Sequence, residues 1–343
     1  MSSSLRKLRH TIRWKLAWYA KSVEISHPPY YWNVEPTNCC NLRCSICSLD
    51  DSRPKGYMDW DLYKRLIDKA SKMRVTEIRL FLAGEPLLHK DIAAMVSHAN
   101  TNGLRTCIHT NATRLTRYLS REIIKAGLTD ISFSFDGETK EEYERVRVGA
   151  DFDRTLSNII EFLHAKKELG SKRPHAVLQV IKPFDPRNPP SLSLSADFVR
   201  RFRKLPLNGF SVFYPHTWAG EKTDIAARPR GACYFPCQTL WQSMSVAWDG
   251  RVLLCCGDLN GRVVLGDLKV QDPGQIWLGK GLRELRRALV ERHSDSCALC
   301  AGCDALWRRT HPLVSDVVNL QFARQLRGLV GRITAKSGEA GRE

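Results

Sequence analysis

Three cysteines in one short segment are the residues of this chain most able to do chemistry. Cys40, Cys44 and Cys47 have C-x3-C-x2-C spacing and directly follow an extended stretch, residues 30–37. Thiolates on one loop can converge on one metal centre, and cysteine is the main ligand of iron–sulfur clusters. Three ligands leave a position open for chemistry, whereas a structural zinc site closes with four. The spacing alone therefore leaves an open metal centre and a zinc knuckle as alternatives.

The segment NVEPTNCCNLRCSIC resembles the signature of the radical S-adenosylmethionine (SAM) superfamily. In that family three cysteines bind a 4Fe–4S cluster, and the amino and carboxylate groups of SAM fill the open iron site. The resemblance implies that Cys40, Cys44 and Cys47 are the ligands and that Cys39, which would allow a C-x4-C-x2-C frame, is spare. Ile46 stands where the family usually has an aromatic residue.

The composition favours a cytoplasmic metalloprotein. The 343 residues suffice for one large domain and a smaller one. Twelve cysteines without a visible export signal predict metal binding in a reducing compartment rather than disulfides. No apolar run reaches the ~18 residues of a membrane span. The charge, 53 − 36 = +17, favours anionic partners such as a phosphorylated or nucleotide-linked substrate, a membrane surface or nucleic acid.

Residues 2–21 predict a basic amphipathic helix with Trp14 and Trp18 near its end. Its apolar residues recur at spacings of three and four: Leu5, Leu8, Ile12 and Leu16. Such a helix is typical of the membrane interface, and it predicts peripheral membrane contact. The alternative is a helix that packs on the body of the protein and exposes a basic face.

Between residues 30 and 214 the pattern alternates between strand and helix. The predicted strands are Tyr31–Glu35, Glu77–Leu82, Arg105–Thr110, Asp130–Phe135, Ala176–Ile181 and Gly209–Tyr214. The predicted helices are Asp59–Met73, Lys90–Thr101, Thr116–Ala126, Phe152–Leu169 and Ser195–Lys204. Apolar strands that alternate with helices predict an α/β fold with a parallel sheet. The family resemblance implies that this sheet is a partial (β/α)6 barrel. Such sheets bind ligands at the carboxyl ends of their strands, where the three cysteines fall.

Further polar residues follow later strands at the same end. Ala83-Gly84-Glu85-Pro86 is a rigid turn with exposed backbone. It resembles the family's GGEP element, whose backbone meets the SAM ammonium group, with Ala83 in place of the first glycine. Asn111 ends the third strand in HTNAT, where the family often has TNG.

The fourth strand, in ISFSFDG, alternates polar residues with two phenylalanines, so that one face is polar. Its polar residues are Ser132, Ser134 and Asp136. The family resemblance assigns Ser134 and Asp136 to the SAM ribose region, and we expect Gln179 of the fifth strand to join them.

The last third of the chain is again rich in cysteine. Cys237 and Cys255 flank a predicted hairpin with an Asp-Gly turn, and Cys300 and Cys303 form a CxxC after a predicted helix, Leu282–His293. Four such cysteines describe a closed tetrahedral site, for which zinc and an iron–sulfur cluster are the alternatives.

The same cysteines resemble the auxiliary-cluster region of radical SAM enzymes, called SPASM or, when shorter, twitch. The spacing C-x12-G-x4-C from Cys237 to Cys255 fits its opening, but the C-x2-C-x5-C-x3-C block of a two-cluster domain is absent. The resemblance implies one auxiliary 4Fe–4S cluster on Cys237, Cys255, Cys300 and Cys303. Cys233 and Cys297 have spacings that would let either displace one of these ligands.

The predicted organisation has four parts: an N-terminal helix (1–29), a radical SAM core (30–228), a SPASM/twitch-like domain (229–310), and a C-terminal helix with a polar tail (311–343). The resemblance implies that the reduced first cluster cleaves SAM to methionine and a 5′-deoxyadenosyl radical, which abstracts a hydrogen atom from a substrate. It also implies an electron donor such as flavodoxin or ferredoxin.

Three functions are compatible with the sequence. Similar enzymes with one auxiliary cluster act on sugars or aminocyclitols as dehydrogenases or epimerases, and this is the expected function. Others modify peptides, but we expect the chain to lack room for the peptide-recognition domain that many of them carry. The non-enzyme alternative is an iron–sulfur or zinc protein that docks on nucleic acid or membrane.

An epimerase needs a hydrogen-atom donor, and Cys256 is the candidate. It directly follows the expected ligand Cys255, and strand alternation points its sulfur to the other side. The alternative is that Cys256 is a buried apolar residue, as free cysteines often are.

Overall fold

The computed structural model describes residues 3–182, 191–225 and 231–308. They form two compact units: residues 3–225 and 236–304 belong to the first, and residues 231–235 and 305–308 to the second. The four-part division proposed from the sequence stays a prediction, and the predicted C-terminal helix lies outside the described residues.

The strands and helices are close to those predicted. The strands are β1 (Tyr31–Val34), β2 (Glu77–Arg79), β3 (Arg105–Thr110), β4 (Asp130–Ser134), β5 (His175–Ile181), β6 (Gly209–Phe213), β7 (Cys233–Tyr234), β8 (Ser243–Val246), β9 (Arg251–Leu253), β10 (Val264–Asp267) and β11 (Trp307–Arg308). The helices are α1 (Ser3–Tyr19), α2 (Trp60–Lys72), α3 (Ile92–Thr101), α4 (Arg117–Lys125), α5 (Lys140–Val146), α6 (Phe152–Glu168), α7 (Ala196–Arg200), α8 (Thr239–Gln242), α9 (Pro273–Trp277), α10 (Lys280–Val290) and α11 (Ala298–Ala301).

Nine strands of the first unit form one sheet in the order β10-β9-β8-β1-β2-β3-β4-β5-β6. Strands β1 to β6 are all parallel, which confirms the predicted α/β class. Strand β8 pairs with β1 in parallel, and β8, β9 and β10 are antiparallel. The cysteine-bearing hairpin is therefore an extension of the core sheet, which the sequence analysis did not predict.

Alternate residues of the parallel strands face opposite sides of the sheet. One set packs on the helices: the rings of Phe133 and Phe162 in α6 are 5.3 Å apart, and those of Phe135 and Tyr143 in α5 are 4.3 Å apart. The opposite side is called the inner face. Its residues include Arg79, His109, Ser132, Ser134 and Gln179.

Helix α1 packs through its aromatic side. Trp14 and Trp18 are 4% and 2% exposed, and the Trp18 indole donates to the Pro236 carbonyl at 2.8 Å. The tryptophans expected at a membrane are therefore buried within the protein. Ile12 and Leu16 remain outside, 41% and 63% exposed. Within the described residues, no helix combines the length and the apolar character needed to cross a bilayer.

A buried carboxylate joins the core to the hairpin. Glu35, directly after β1, accepts two hydrogen bonds from Arg53 at 3.0 and 2.7 Å, and the side chains are 0% and 4% exposed. Glu35 also accepts from the backbone N–H groups of Ala83 (3.2 Å) and Trp248 (3.0 Å). Arg53 donates in addition to the Leu259 carbonyl at 2.7 Å. One ion pair thus connects the end of β1, the turn after β2, and the hairpin.

Replacing Glu35 by Gln should destabilise the protein strongly. The change leaves the buried Arg53 charge without its partner, a loss of about 3–5 kcal/mol in the free energy of unfolding. Denaturant titration measures this free energy. The control is Asp50→Asn in the exposed Arg262–Asp50 pair (2.7 Å), for which at most about 1 kcal/mol is expected. Equal losses in the two variants would contradict the role assigned to Glu35.

Candidate metal centres and ligand site

The three cysteines of the first motif lie on a loop after β1, residues 38–47, called the cysteine loop. It is held from two sides. The Asn41 amide donates to the Thr113 hydroxyl at 2.8 Å, and the Ser45 N–H donates to the Val146 carbonyl at 2.9 Å. The loop is therefore braced by the chain after β3 and by the end of α5, at the carboxyl end of the sheet as predicted.

The structure brings Cys40, Cys44 and Cys47 together. Burial raises the pKa of the Cys40 thiol to about 11, and the nearby Cys44 and Cys47 thiols contribute to the shift. Burial also raises the pKa of Cys44 and of Cys47. Cys39 instead shares a side-chain hydrogen bond with Tyr57. The geometry thus favours the C-x3-C-x2-C frame, and a metal would have to displace the protons of these thiols.

The turn after β2 lies directly on the cysteine loop. Gly84 has φ +72°, and a Cβ there would come within 2.5 Å of the Thr37 carbonyl oxygen, so only glycine fits. The Glu85 N–H donates to the Cys39 carbonyl at 2.8 Å. Pro86 then begins a short 3-10 helix. The predicted Gly84-Glu85-Pro86 element is therefore in contact with the start of the cysteine loop.

The Glu85 carboxylate forms its hydrogen bonds with other residues of the protein. Its carboxylate accepts from the Thr110 hydroxyl and the Asn111 N–H, both at 2.7 Å. The side chain of Asn111 in turn donates to Asn41 of the cysteine loop at 3.1 Å. Glu85 and Asn111 therefore join the turn after β2, the end of β3 and the cysteine loop.

Ser134 and Gln179 are neighbours on β4 and β5 at the same end of the inner face. The Ser132 hydroxyl donates to the side-chain amide oxygen (Oε1) of Gln179 at 3.0 Å. The Ser134 hydroxyl and the Gln179 amide nitrogen have no hydrogen-bond partner among the residues that the structure describes. Both groups are thus available to a polar ligand, and their assignment to the SAM ribose region stays a prediction.

The Asp136 carboxylate, which the family resemblance assigned to the SAM ribose region, forms its hydrogen bonds within the protein. One carboxylate oxygen accepts from the Ile181 N–H at 2.7 Å, and the other accepts from Arg147 Nε at 2.7 Å. Arg147 also approaches the sulfur of Cys44 at 3.8 Å. Asp136 therefore holds a cation beside a candidate ligand. The sequence analysis did not predict this pair, because no local pattern links Asp136, which follows β4, to Arg147, which follows α5.

The second set of cysteines also converges. Cys255 lies within electrostatic range of Cys237 and Cys303, and burial raises its pKa well above the ordinary value. The hydrogen bond with Cys297 and burial raise the pKa of Cys300, and Cys255 and Cys237 lie near enough to contribute. The hairpin and α11 thus bring the four expected ligands into one region.

The other cysteines of this region differ in position. Cys297 is buried beside Cys300, so it remains an alternative ligand. Cys233 is exposed on β7, which belongs to the second unit. Cys256 packs against the apolar cluster of Leu82, Ala247 and Leu253, and it lies within electrostatic range of Cys237 and Arg79. Its sulfur is therefore near both the second cysteine set and the inner face.

The donor sets fit iron–sulfur clusters, because all seven expected donors are thiols, the usual ligands of 4Fe–4S clusters. Within the described ranges, no group of three or more His, Cys, Asp or Glu side chains is found that could hold a single metal ion.

A loop missed by the sequence analysis connects the two cysteine regions. In this bridging loop, residues 217–222, the Trp218 indole donates to the Ile46 carbonyl at 2.6 Å and Thr217 donates to Asp304 at 2.9 Å. Trp218 has φ +47°, a conformation unfavourable for a tryptophan. Backbone strain of this kind persists only where the surroundings enforce it, and it is common at functional sites.

Two known families match this chain. Residues 34–171 match the Radical SAM superfamily, and residues 237–304 match SPASM, an iron–sulfur cluster-binding domain. Fe-coproporphyrin III synthase of Methanosarcina barkeri is 31% identical over 42% of this chain and 35% of its own length. PqqA peptide cyclase of Bradyrhizobium diazoefficiens is 32% identical over 33% of this chain and 30% of its own length. The chain thus spans well under half of these relatives.

Solved structures share the fold. BtrN in complex with AdoMet and 2-DOIA has a TM-score of 0.56 and 20% identity, over 82% of this chain and 94% of BtrN. Streptococcus suis SuiB bound to the precursor peptide SuiA has a TM-score of 0.62 and 15% identity, over 87% of this chain and 74% of SuiB.

Proposed function

Because the chain belongs to the radical SAM superfamily and carries a SPASM-type iron–sulfur domain, we propose that it cleaves SAM reductively and abstracts a hydrogen atom from a sugar or aminocyclitol. The outcome would be dehydrogenation or epimerisation. The observation that carries the proposal is the convergence of three thiols at the carboxyl end of the sheet and of four thiols beside its extension.

The site residues have distinct proposed roles. Cys40, Cys44 and Cys47 would hold the SAM-binding 4Fe–4S cluster, and Cys237, Cys255, Cys300 and Cys303 the auxiliary 4Fe–4S cluster. When bound, the first cluster and SAM supply the 5′-deoxyadenosyl radical. The turn at Gly84-Glu85-Pro86 presents backbone groups to the SAM ammonium. Ser134 and Gln179 offer hydrogen-bonding groups to the ribose.

Arg147 and Asp136 would act on the same site. Arg147, fixed by Asp136, places a positive charge beside Cys44, where it stabilises a thiolate. Hydrogen bonds and charges next to cluster sulfurs set the reduction potential of such centres. We therefore infer that Asp136 positions Arg147 rather than contacting the ribose.

We propose a small-molecule substrate first, because the +17 charge of the chain suits a phosphate- or nucleotide-bearing molecule. BtrN, which was solved with 2-DOIA, is among the similar structures. Peptide modification remains the alternative, since SuiB and PqqA peptide cyclase are among the similar proteins. A non-catalytic iron–sulfur or zinc protein would not need the available polar groups of Ser134 and Gln179. An electron donor such as flavodoxin or ferredoxin and a cytoplasmic location stay predictions.

Changing Cys40, Cys44 and Cys47 together to Ala should abolish 5′-deoxyadenosine formation from SAM and dithionite. The same protein should still bind about four irons after anaerobic reconstitution, because one cubane on four cysteines remains. Chromatographic assay and iron analysis measure the two quantities. Continued 5′-deoxyadenosine formation would exclude these ligands, and zinc or no metal in the variant would exclude the auxiliary cluster.

Cys256→Ala should separate epimerisation from dehydrogenation. If Cys256 donates a hydrogen atom to the substrate radical, its thiyl radical must then regain an electron from the donor protein and a proton from solvent. In deuterium oxide the wild type should therefore place one deuterium in the product, read by mass spectrometry on candidate sugars. The variant should abstract hydrogen without completing the turnover. Unchanged product formation by Cys256→Ala would remove Cys256 from the mechanism and favour dehydrogenation.

We also propose peripheral membrane contact through the outer side of α1, where Ile12 and Leu16 lie beside Arg9 and Arg13. Arginines next to exposed apolar residues suit an anionic bilayer surface. Flotation with phosphatidylserine vesicles should recover the wild type and lose the Ile12→Asn, Leu16→Asn double variant. The buried Trp14 and Trp18 are left intact as anchors of the helix. Equal recovery of both proteins would contradict the contact.

A further inference from the structure

The inner face carries polar groups that the proposed function does not use. Arg79 lies on β2 and His109 on β3, in the two layers below Asn111. In the register of the sheet, Arg79 is level with Cys107. Because a strand rises about 3.3 Å per residue, His109 is about 7 Å and Asn111 about 13 Å further along toward the cysteine loop.

Arg79 is held in place by its ring and carboxylate neighbours. Its Nε donates to Glu77 at 2.6 Å, and the guanidinium carbon lies 3.6 Å from the centre of the Tyr31 ring. The two terminal nitrogens have no hydrogen-bond partner among the described residues. The Arg79 side chain is 30% exposed. A fixed guanidinium thus turns its free donors toward the inner face, in the fork geometry that matches an oxyanion.

His109 is also fixed and also lacks polar partners. Its ring stacks on Phe81, with centroids 4.0 Å apart and an interplanar angle of 19°. Neither ring nitrogen has a hydrogen-bond partner within the described part of the chain. Burial and the nearby Arg79 lower the pKa of His109 to about 4, so the imidazole is neutral at physiological pH and has one N–H to donate.

The charges around Arg79 favour an anion. Glu77 also lies 3.7 Å from Arg105, which pairs with Asp130 at 2.5 Å, and Lys7 of α1 is close to this group. This group therefore contains three cationic side chains but only two carboxylates. The cations are Arg79, Arg105 and Lys7, and the carboxylates are Glu77 and Asp130. Burial and Arg105 lower the pKa of Lys7 to about 8, as expected where positive charge is in excess.

We propose that the inner face holds a binding site for an oxyanion group of the substrate, a phosphate or a carboxylate, built on Arg79 and His109. The inference rests on the proposed function for the existence of a substrate on this face. It adds the chemistry of recognition: one end of the substrate is anionic, and its reactive end lies about 13 Å away, level with Asn111. Cys256, within electrostatic range of Arg79, lies beside such a substrate.

Equilibrium dialysis with radiolabelled inorganic phosphate tests the site on the cluster-reconstituted protein. Physiological salt screens weak binding to the basic surface. We expect one saturable site in the wild type and an affinity about tenfold or more lower in Arg79→Gln, which loses charge-assisted hydrogen bonds. Arg79→Lys keeps the charge without the fork and should lose less. His109→Phe keeps the stack on Phe81 without the nitrogens and should bind phosphate more weakly than the wild type.

Arg287→Gln is the matched control, since it removes one charge from an exposed position on α10 and should leave phosphate binding unchanged. Dialysis with labelled acetate shows whether the site takes carboxylates as well. Iron content verifies that each variant folds. If Arg79→Gln does not fold, the phosphate affinities of Arg79→Lys and His109→Phe test the proposal instead. Absence of a saturable site in the wild type for either anion, or equal affinity in the folded Arg79 variants, overturns the proposal. Because dialysis requires no SAM cleavage, its outcome is independent of the 5′-deoxyadenosine assay.

Discussion

The buried ion pair between Glu35 and Arg53 is the constraint on which both candidate centres depend. Glu35 directly follows β1, and its carboxylate accepts hydrogen bonds from Arg53 and from the backbone N–H groups of Ala83 and Trp248. The contact with Arg53 orders the chain after the cysteine loop. The contact with Ala83 orders the turn after β2, and the contact with Trp248 orders the hairpin that precedes Cys255. Charges removed from water are costly unless they are paired and hydrogen-bonded, so separating Glu35 from Arg53 would be strongly unfavourable. The pair therefore favours arrangements in which the three segments meet.

The two candidate centres differ in the number of thiols that could bind a cluster. The three thiols of the cysteine loop and the available groups of Ser134 and Gln179 both lie at the carboxyl end of the parallel strands, so this region is suited to a metal centre that also binds a ligand. Four thiols on the hairpin and around α11 can close a cluster without an outside ligand, and the bridging loop connects them to Ile46. Hydrogen bonds from residues beyond the ligands orient a metal site and adjust its properties. Arg147 on Cys44 is such a contact.

Local patterns predicted much of this structure. The six parallel strands were predicted to within a few residues because apolar alternation and capping residues such as Asp59 are local signals. The cysteine spacing indicated both metal centres. The pairing of β8 with β1 was not predicted, because it joins residues 212 positions apart, as from Asn33 to Ser245, and depends on a long-range fit. For the same reason neither the Asp136–Arg147 pair nor the conformation of Trp218 could be predicted. The sequence marked Arg79 and His109 only as strand residues, since their partners are on neighbouring strands.

Mössbauer spectroscopy of the wild-type protein reconstituted with iron-57 tests the central claim most directly. The account predicts two 4Fe–4S clusters, about eight irons in all, since seven cysteines provide one open and one closed set of ligands. Addition of SAM should change the signal of one iron in one cluster and leave the other cluster unchanged. A single cluster, or two clusters that both ignore SAM, would contradict the account.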